Sequence, residues 1–166
     1  MDVDGYLVEL FGRLPGLVHA AVEDLDEAKL AEAPADGANT IAWLVWHLTR
    51  IEDHHLSEAA GTPQRYIEDG WHERFGRGAD PQDHGYGHSP ADVASVRATA
   101  DDLAGYHDAV HARTIDFLSG LTPGDLDRIV DESWDPPVTL GVRLASVASD
   151  CLQHVGQAAY LRGLIT

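Results

Sequence analysis

Residues 140–164 read LGVRLASVASDCLQHVGQAAYLRGL, and their apolar side chains recur at intervals of three and four. The members of this stripe are Leu144, Ala148, Cys151, Val155 and Ala158. An α-helix turns once every 3.6 residues, so this period places all five side chains on one face. The stretch follows the turn-like sequence Asp135-Pro136-Pro137. It is therefore predicted to be one long helix with a single core-facing side.

Three further segments show the same helical periodicity: about Val3–Leu25, about Thr40–Ala60, and the segment from Pro90 to Gly120. Pro15 interrupts the first of them and should kink or split that helix, because proline removes a backbone donor. Asn39 or Thr40 can cap the second, and Gly61 can end it. Ser89 can cap the third, where Pro90 suits the first turn.

The connections between these helices are unequal in length. Residues 61–88 are too long and too rich in glycine for an ordinary turn, and residues 121–139 hold only a short helical piece over Pro123–Ile129. No segment alternates convincingly as a strand. We therefore predict an all-α fold, a four-helix bundle with a long crossover between helices two and three. One domain is expected over residues 1–166.

The charge balance narrows the classes of partner. Acidic residues number 28 against 11 basic ones, a formal charge of −17. Such a chain repels phosphate backbones and anionic membrane surfaces, so neither nucleic acid nor membrane is an expected partner. The single cysteine, Cys151, cannot form an internal disulfide, and no secretory signal or membrane-spanning run is visible. A cytoplasmic location is expected.

Asp150 and His154 are the best candidates for chemistry. Residues four apart on a helix point the same way, so a carboxylate and an imidazole could bind one metal ion together. Gln157 lies on the same side, three residues further on. The alternatives are a hydrogen-bonded Asp–His pair or a solvated helix face.

His47 strengthens the case for a metal site. It falls on the apolar stripe of Leu44, Leu48 and Ile51, where a lone histidine is more often an ordinary core residue. Three ligands from two facing helices would leave coordination positions open for substrate, as catalytic metal sites do.

The other histidines give weaker indications. His54 and His55 are expected to face solvent or to support the site, whereas His88 or Tyr86 of the crossover could line a pocket. The remaining ones within helices, His19, His107 and His111, are expected to be ordinary helix positions. Arg162 could contact an anion, although a cation interacting with a helix C-terminus is the more common role.

At these residues the sequence resembles the DinB-like (DinB/YfiT) superfamily, and in particular its thiol-dependent branch. The resemblance rests on Trp-His47-Leu and on the pattern ligand-x-x-x-His-x-Gly-Gln followed by Tyr-Leu-Arg-Gly, here Asp150 to Gly163. It implies a bundle of up-down-down-up order and a metal held by His47, Asp150 and His154. The family usually has histidine at the middle position. Asp150 would therefore favour manganese, iron or magnesium over zinc or nickel.

The resemblance also implies a chemistry. Characterised relatives use low-molecular-weight thiols such as mycothiol in S-transfer or isomerisation. The leading hypothesis is a metal-dependent enzyme with a small-molecule thiol and an electrophilic substrate as partners, and with Gln157 as a catalytic residue that positions substrate. The alternatives are a site of the non-haem iron oxygenase type and a non-catalytic metal-binding stress protein. A homodimer is a further expectation from the resemblance.

Overall fold

The computed structural model describes residues 1–166, and most of them are helical. The α-helices are α1 (Val3–Phe11), α2 (Leu14–Val22), α3 (Glu27–Leu30), α4 (Ile41–Ala60), α5 (Arg65–Glu68), α6 (Trp71–Arg74), α7 (Pro90–Ser95), α8 (Ala100–Leu118) and α9 (Leu140–Ile165). A 3-10 helix covers Pro123–Asp127, and two short strands follow it, β1 (Ile129–Asp131) and β2 (Val138–Thr139).

Four helical units form the bundle. Helix α2 packs against α8 and α9, and α4 packs against the same two helices, so the four close a ring around one core. Helix α1 extends the first unit and packs against α8. The predicted all-α class and four-helix bundle are confirmed, whereas the up-down-down-up order and the single domain stay predictions.

Helix α4 begins and ends where the sequence predicts. The Thr40 hydroxyl accepts a hydrogen bond from the Trp43 backbone N–H at 3.1 Å, which caps the first turn. Gly61 ends the helix in the left-handed conformation, with φ 69°. Both signals are local, so the prediction needs no knowledge of the packing.

The first predicted helix is split, as expected, and the third is also split, which was not expected. The first breaks at Gly12 and Arg13, so Pro15 lies in the opening turn of α2. The periodicity predicts one continuous third helix, but α7 ends at Ser95, and the next residue, Val96, has an extended backbone and a buried side chain. Thr99 then caps α8 by accepting from the Asp102 backbone N–H at 3.1 Å.

The expectation that the chain lacks strands is wrong for one small element. Strands β1 and β2 pair antiparallel, with Ile129 opposite Thr139. Each strand spans only two or three residues, too few for an alternating pattern to stand out. The pair joins the 3-10 helix to the start of α9.

The crossover lies against α4 and is anchored by two buried charges. Arg50 is fully buried and donates to the carbonyl oxygens of Asp83 at 2.9 Å and Pro81 at 3.1 Å. Asp53 accepts from the backbone N–H groups of Arg65 at 2.9 Å and Tyr66 at 2.8 Å. Charged side chains thus satisfy backbone groups of the crossover that would otherwise be buried without partners.

The crossover explains why α4 is buried on nearly every side. Of its 20 residues, 16 are buried, including the polar residues His47 and Glu52. A helix at the surface of a bundle normally keeps a polar face in water.

No helix of the chain has both the length and the hydropathy needed to cross a bilayer.

Candidate metal centre

The packing of α4 against α9 brings the three predicted ligands together. Nε2 of His47 lies 4.0 Å from Oδ2 of Asp150, and Nε2 of His154 lies 3.6 Å from Oδ1 of the same carboxylate. One ligand atom from each residue falls within 4.8 Å of the others. His47 is buried, whereas Asp150 and His154 are partly exposed, so the group lies at the edge of the core.

Hydrogen bonds orient both imidazoles with Nε2 towards Asp150. Nδ1 of His47 donates to the carbonyl oxygen of His84 at 2.5 Å, since a carbonyl oxygen can only accept. Nδ1 of His154 donates to the amide oxygen of Gln157 at 2.9 Å. In the neutral form of each ring, Nε2 therefore keeps a free lone pair. Metal-binding histidines are commonly held in this way, through the ring nitrogen that does not bind the ion.

The donor set fits a divalent metal ion. Oδ2 of Asp150 is buried and has no hydrogen-bond partner. Ligand bonds of about 2.0–2.2 Å place tetrahedral donor atoms roughly 3.4 Å apart, so the observed separations need only small side-chain shifts. A carboxylate oxygen with no partner beside two free imidazole nitrogens is an arrangement that a cation would satisfy.

The protonation of the site follows from its surroundings. Burial lowers the pKa of His47, and the hydrogen bond to His84 opposes this effect only in part. The neutral imidazole, which is the form that binds a metal, is therefore favoured there. The contact with Asp150 raises the pKa of His154, since the carboxylate stabilises the imidazolium. In the absence of an ion, a proton on His154 would partly balance the Asp150 charge.

The crossover completes the site in a way that sequence reasoning missed. Gly85, with φ 96°, packs so closely on His47 that a Cβ atom there would lie 2.7 Å from Nδ1 of His47. The Trp43 ring stacks on the His47 ring, with 4.6 Å between the two centroids. His88 accepts a hydrogen bond from the Trp43 indole, whereas Tyr86 is 89% exposed. Only the Gly85-Tyr-Gly sequence within the His-rich crossover hinted at close backbone approach.

A second group of metal-ligand residues is less suitable. His54, His55 and Glu58 also bring ligand atoms within 4.8 Å of one another. However, Nδ1 of His54 accepts from the amide of Gln64 at 3.1 Å, and Arg50 fixes that amide by donating to its oxygen at 2.8 Å. A neutral His54 then carries its proton on Nε2, so neither ring nitrogen is free.

Three other predicted roles can be compared with the structure. Arg162 donates to the carbonyl oxygen of Glu23 at 2.6 Å, at the C-terminus of α2, and so acts as a cation at a helix end. Cys151 is a buried core residue, and its thiol donates to the Leu48 carbonyl oxygen at 3.5 Å. His107 is not an ordinary helix position, because it is completely buried beside Glu52.

Comparisons with known proteins agree with this architecture. The crystal structure of a conserved protein from Enterococcus faecalis is similar to the chain, with a TM-score of 0.89 and 28% sequence identity. The match covers 99% of this chain and 98% of that one. None of the curated proteins matches the sequence. The model of the DinB superfamily matches residues 10–158, which include all three candidate ligands, and the chain therefore belongs to the DinB superfamily.

Proposed function

We propose that this chain binds one divalent transition-metal ion through His47, Asp150 and His154. The observation that carries the proposal is the convergence of two free imidazole nitrogens on a buried carboxylate oxygen without a partner. Two imidazoles and one carboxylate suit zinc, nickel, manganese or iron, whereas magnesium usually takes oxygen ligands and water. The donor set therefore indicates a class of metal ion and does not select one metal within it.

We further propose that the centre is catalytic and acts on a low-molecular-weight thiol such as mycothiol, with an electrophile as second substrate. Three protein ligands leave coordination positions open, and the Asp150 side chain is 34% exposed, which supports access from solvent. A bound ion of this kind would favour the thiolate, the nucleophilic form of a thiol. Membership of the DinB superfamily is consistent with this chemistry.

The sulfur would have to come from a separate molecule. Cys151 is the one cysteine of the chain, and its side chain is completely buried. Burial raises the pKa of the Cys151 thiol well above its usual range, so the thiolate is strongly disfavoured. The protein's own cysteine is therefore unsuited to act as the nucleophile, which supports a small-molecule thiol in that role.

Two other functions share the same centre. Two histidines and one carboxylate are also the ligand set of non-haem iron oxygenases, which supports oxygen chemistry as the second candidate. A metal-binding stress protein without turnover would use the same ligands. Thiol-dependent turnover distinguishes the first function, and oxygen uptake by the iron form distinguishes the second.

The first experiment measures the metal content of untagged protein purified without chelator. We expect about one ion per chain in the wild type and in Asp108→Ala, and almost none in Asp150→Ala. Asp108 is a matched control, because it is a half-exposed carboxylate that pairs with His19 at 3.0 Å. A wild type that takes up no metal after reconstitution, or equal content in both variants, would overturn the proposal.

The second experiment tests the chemistry of the loaded protein. Zinc, nickel, manganese and iron forms would be incubated with mycothiol and an electrophile, and loss of free thiol would be followed. We expect consumption that needs both metal and protein and that disappears in Asp150→Ala. Metal binding with no thiol consumption would leave the oxygenase and the non-catalytic alternatives.

A further inference from the structure

We propose that the crossover segment 83–88 is the positioning element of the metal centre, and that Asp83 and His88 control its metal affinity without contacting the ion. The inference rests on the proposed metal site. It assigns a role to the histidine-containing end of the long crossover. A chain of contacts connects the crossover to His47.

The first contacts fix the tautomer of His88. The Trp43 indole N–H donates to Nδ1 of His88 at 3.1 Å, and an indole nitrogen can only donate. The proton of a neutral His88 must therefore lie on Nε2, which donates to Oδ1 of Asp83 at 2.9 Å. Each polar atom in this series of hydrogen bonds has one compatible partner, so the indole plane is held in one orientation.

Asp83 is itself held from two directions. Its Oδ2 accepts from Arg77, with 2.8 Å to Nη2 and 3.0 Å to Nε, and its carbonyl oxygen accepts from the buried Arg50. Arg77 also lies over the Trp46 ring, 4.8 Å from the centroid. The carboxylate that orients His88 is thus tied to α4.

The other end of the chain of contacts is His47. The Trp43 and His47 rings are nearly parallel, with 10° between their planes. The His84 carbonyl fixes the proton on Nδ1 of His47, and Gly85 closes over that atom. The indole therefore sets the plane of the imidazole, and the crossover backbone sets its tautomer. Together they decide where the Nε2 lone pair points.

This arrangement makes the crossover and the metal site interdependent. If an ordered segment 83–88 strengthens metal binding, then a bound ion must stabilise the segment by the same factor. The His88 backbone N–H donates to the Gly85 carbonyl at 3.2 Å, so its hydrogen exchange reports on the order of the segment. Loss of an interaction that orients a ligand typically weakens metal affinity by about 10–100-fold.

The test compares Co²⁺ affinity and the visible spectrum of the Co²⁺ form in a set of variants. We expect His88→Ala to weaken binding by about tenfold and to change the spectrum. His88→Gln should restore most of the affinity, because an amide offers one acceptor to Trp43 and one donor to Asp83. Trp43→Phe keeps the stacking but removes the indole N–H. The double variant Trp43→Phe/His88→Ala should then bind Co²⁺ no more weakly than the single variant with the lower affinity, because both substitutions remove the same hydrogen bond between Trp43 and His88.

The controls separate positioning from loss of fold. Arg74→Ala changes the same crossover at its exposed ion pair with Asp102, 3.5 Å away, and should leave affinity and spectrum unchanged. Bound metal should slow hydrogen exchange of the backbone amide at position 88 in the wild type, but not in His88→Ala.

Two results would count against the inference. Wild-type affinity and spectrum in His88→Ala, beside a loss of binding in Asp150→Ala, would overturn the positioning role and keep the metal site. Absence of metal binding in the wild type would overturn the proposed function and this inference with it.

Discussion

The amide oxygen of Gln157 lies 2.9 Å from Nδ1 of His154, the ring nitrogen opposite the one that faces Asp150. One residue of α9 thus orients another across a single helical turn. Gln157 was predicted to position substrate, and that role stays a prediction. The contact adds a second role, which is to keep the proton of His154 on Nδ1.

Replacement of Gln157 by alanine should weaken metal binding by about tenfold, because His154 loses the acceptor that fixes its tautomer. Competition with a chromophoric chelator would measure the change. Gln153→Ala is the matched control, since Gln153 is exposed on the same helix and donates only to Ser149. Unchanged metal affinity with reduced turnover would instead assign Gln157 to the substrate.

Replacement of Gly85 by alanine should cost more stability than replacement of Gly87. Both glycines have positive φ, and an alanine in that region costs about 1–2 kcal/mol. At Gly85 the new Cβ would also meet His47 at 2.7 Å and Trp43 at 3.1 Å, which should add about 1–3 kcal/mol. At Gly87 no atom lies within 4 Å. Urea denaturation of the two variants would give the difference, and equal losses would contradict the close packing of the crossover on His47.

Removal of the Asp53 carboxylate should loosen the crossover. Asp53→Ala leaves Arg50 buried without its nearby charge and frees two backbone N–H groups, so we expect a loss of about 3–5 kcal/mol. Tyr106→Phe removes one hydrogen bond to the same carboxylate and one acceptor of Arg50, and should cost about 1–2 kcal/mol because both groups keep other partners. Thermal denaturation would rank the variants, and limited proteolysis should cut residues 61–88 faster in Asp53→Ala. Similar stability of the two variants would argue against this anchor.

The buried Glu52 should make stability depend on pH. Burial raises the pKa of Glu52 to about 7 from its ordinary value of 4.5, helped by the nearby charge of Asp53 and opposed by the Thr114 hydrogen bond. The folded state therefore binds the proton more tightly than the unfolded state. The stabilisation is complete below pH 4.5 and is lost as the pH rises through about 7.

Glu52→Gln removes this dependence and retains an acceptor for Thr114. Between pH 4.5 and 8 the wild type should lose roughly 3 kcal/mol relative to the variant. His107 faces Glu52 at 3.7 Å, but burial lowers its pKa to about 3 and it is present in both proteins, so the comparison isolates Glu52. Denaturant unfolding at several pH values provides the measurement. A variant less stable than the wild type at pH 8 would instead indicate an ionised Glu52 paired with a protonated His107.

Much of the fold was predictable because its causes are local. The Thr40 cap, the Gly61 stop and the period of the α9 stripe act within one or two turns, and each appears where the sequence places it. The proximity of Asp150 and His154 follows from helix geometry alone. Hence the sequence alone determined the all-α class, the main helices and the proximity of two candidate ligands, Asp150 and His154.

Tertiary structure decided what depends on distant parts of the chain. The backbone of Val96 is extended and interrupts the third helix, and helical periodicity does not anticipate this break because Val96 also fits the apolar stripe of a continuous helix. The meeting of His47 with Asp150 required the packing of α4 on α9. The orientation of His47 depends on the carbonyl oxygen of His84, an atom that every residue possesses. Its position is set by the path of the crossover, which charges such as Arg50 hold in place, so the residue type at 84 could not reveal it.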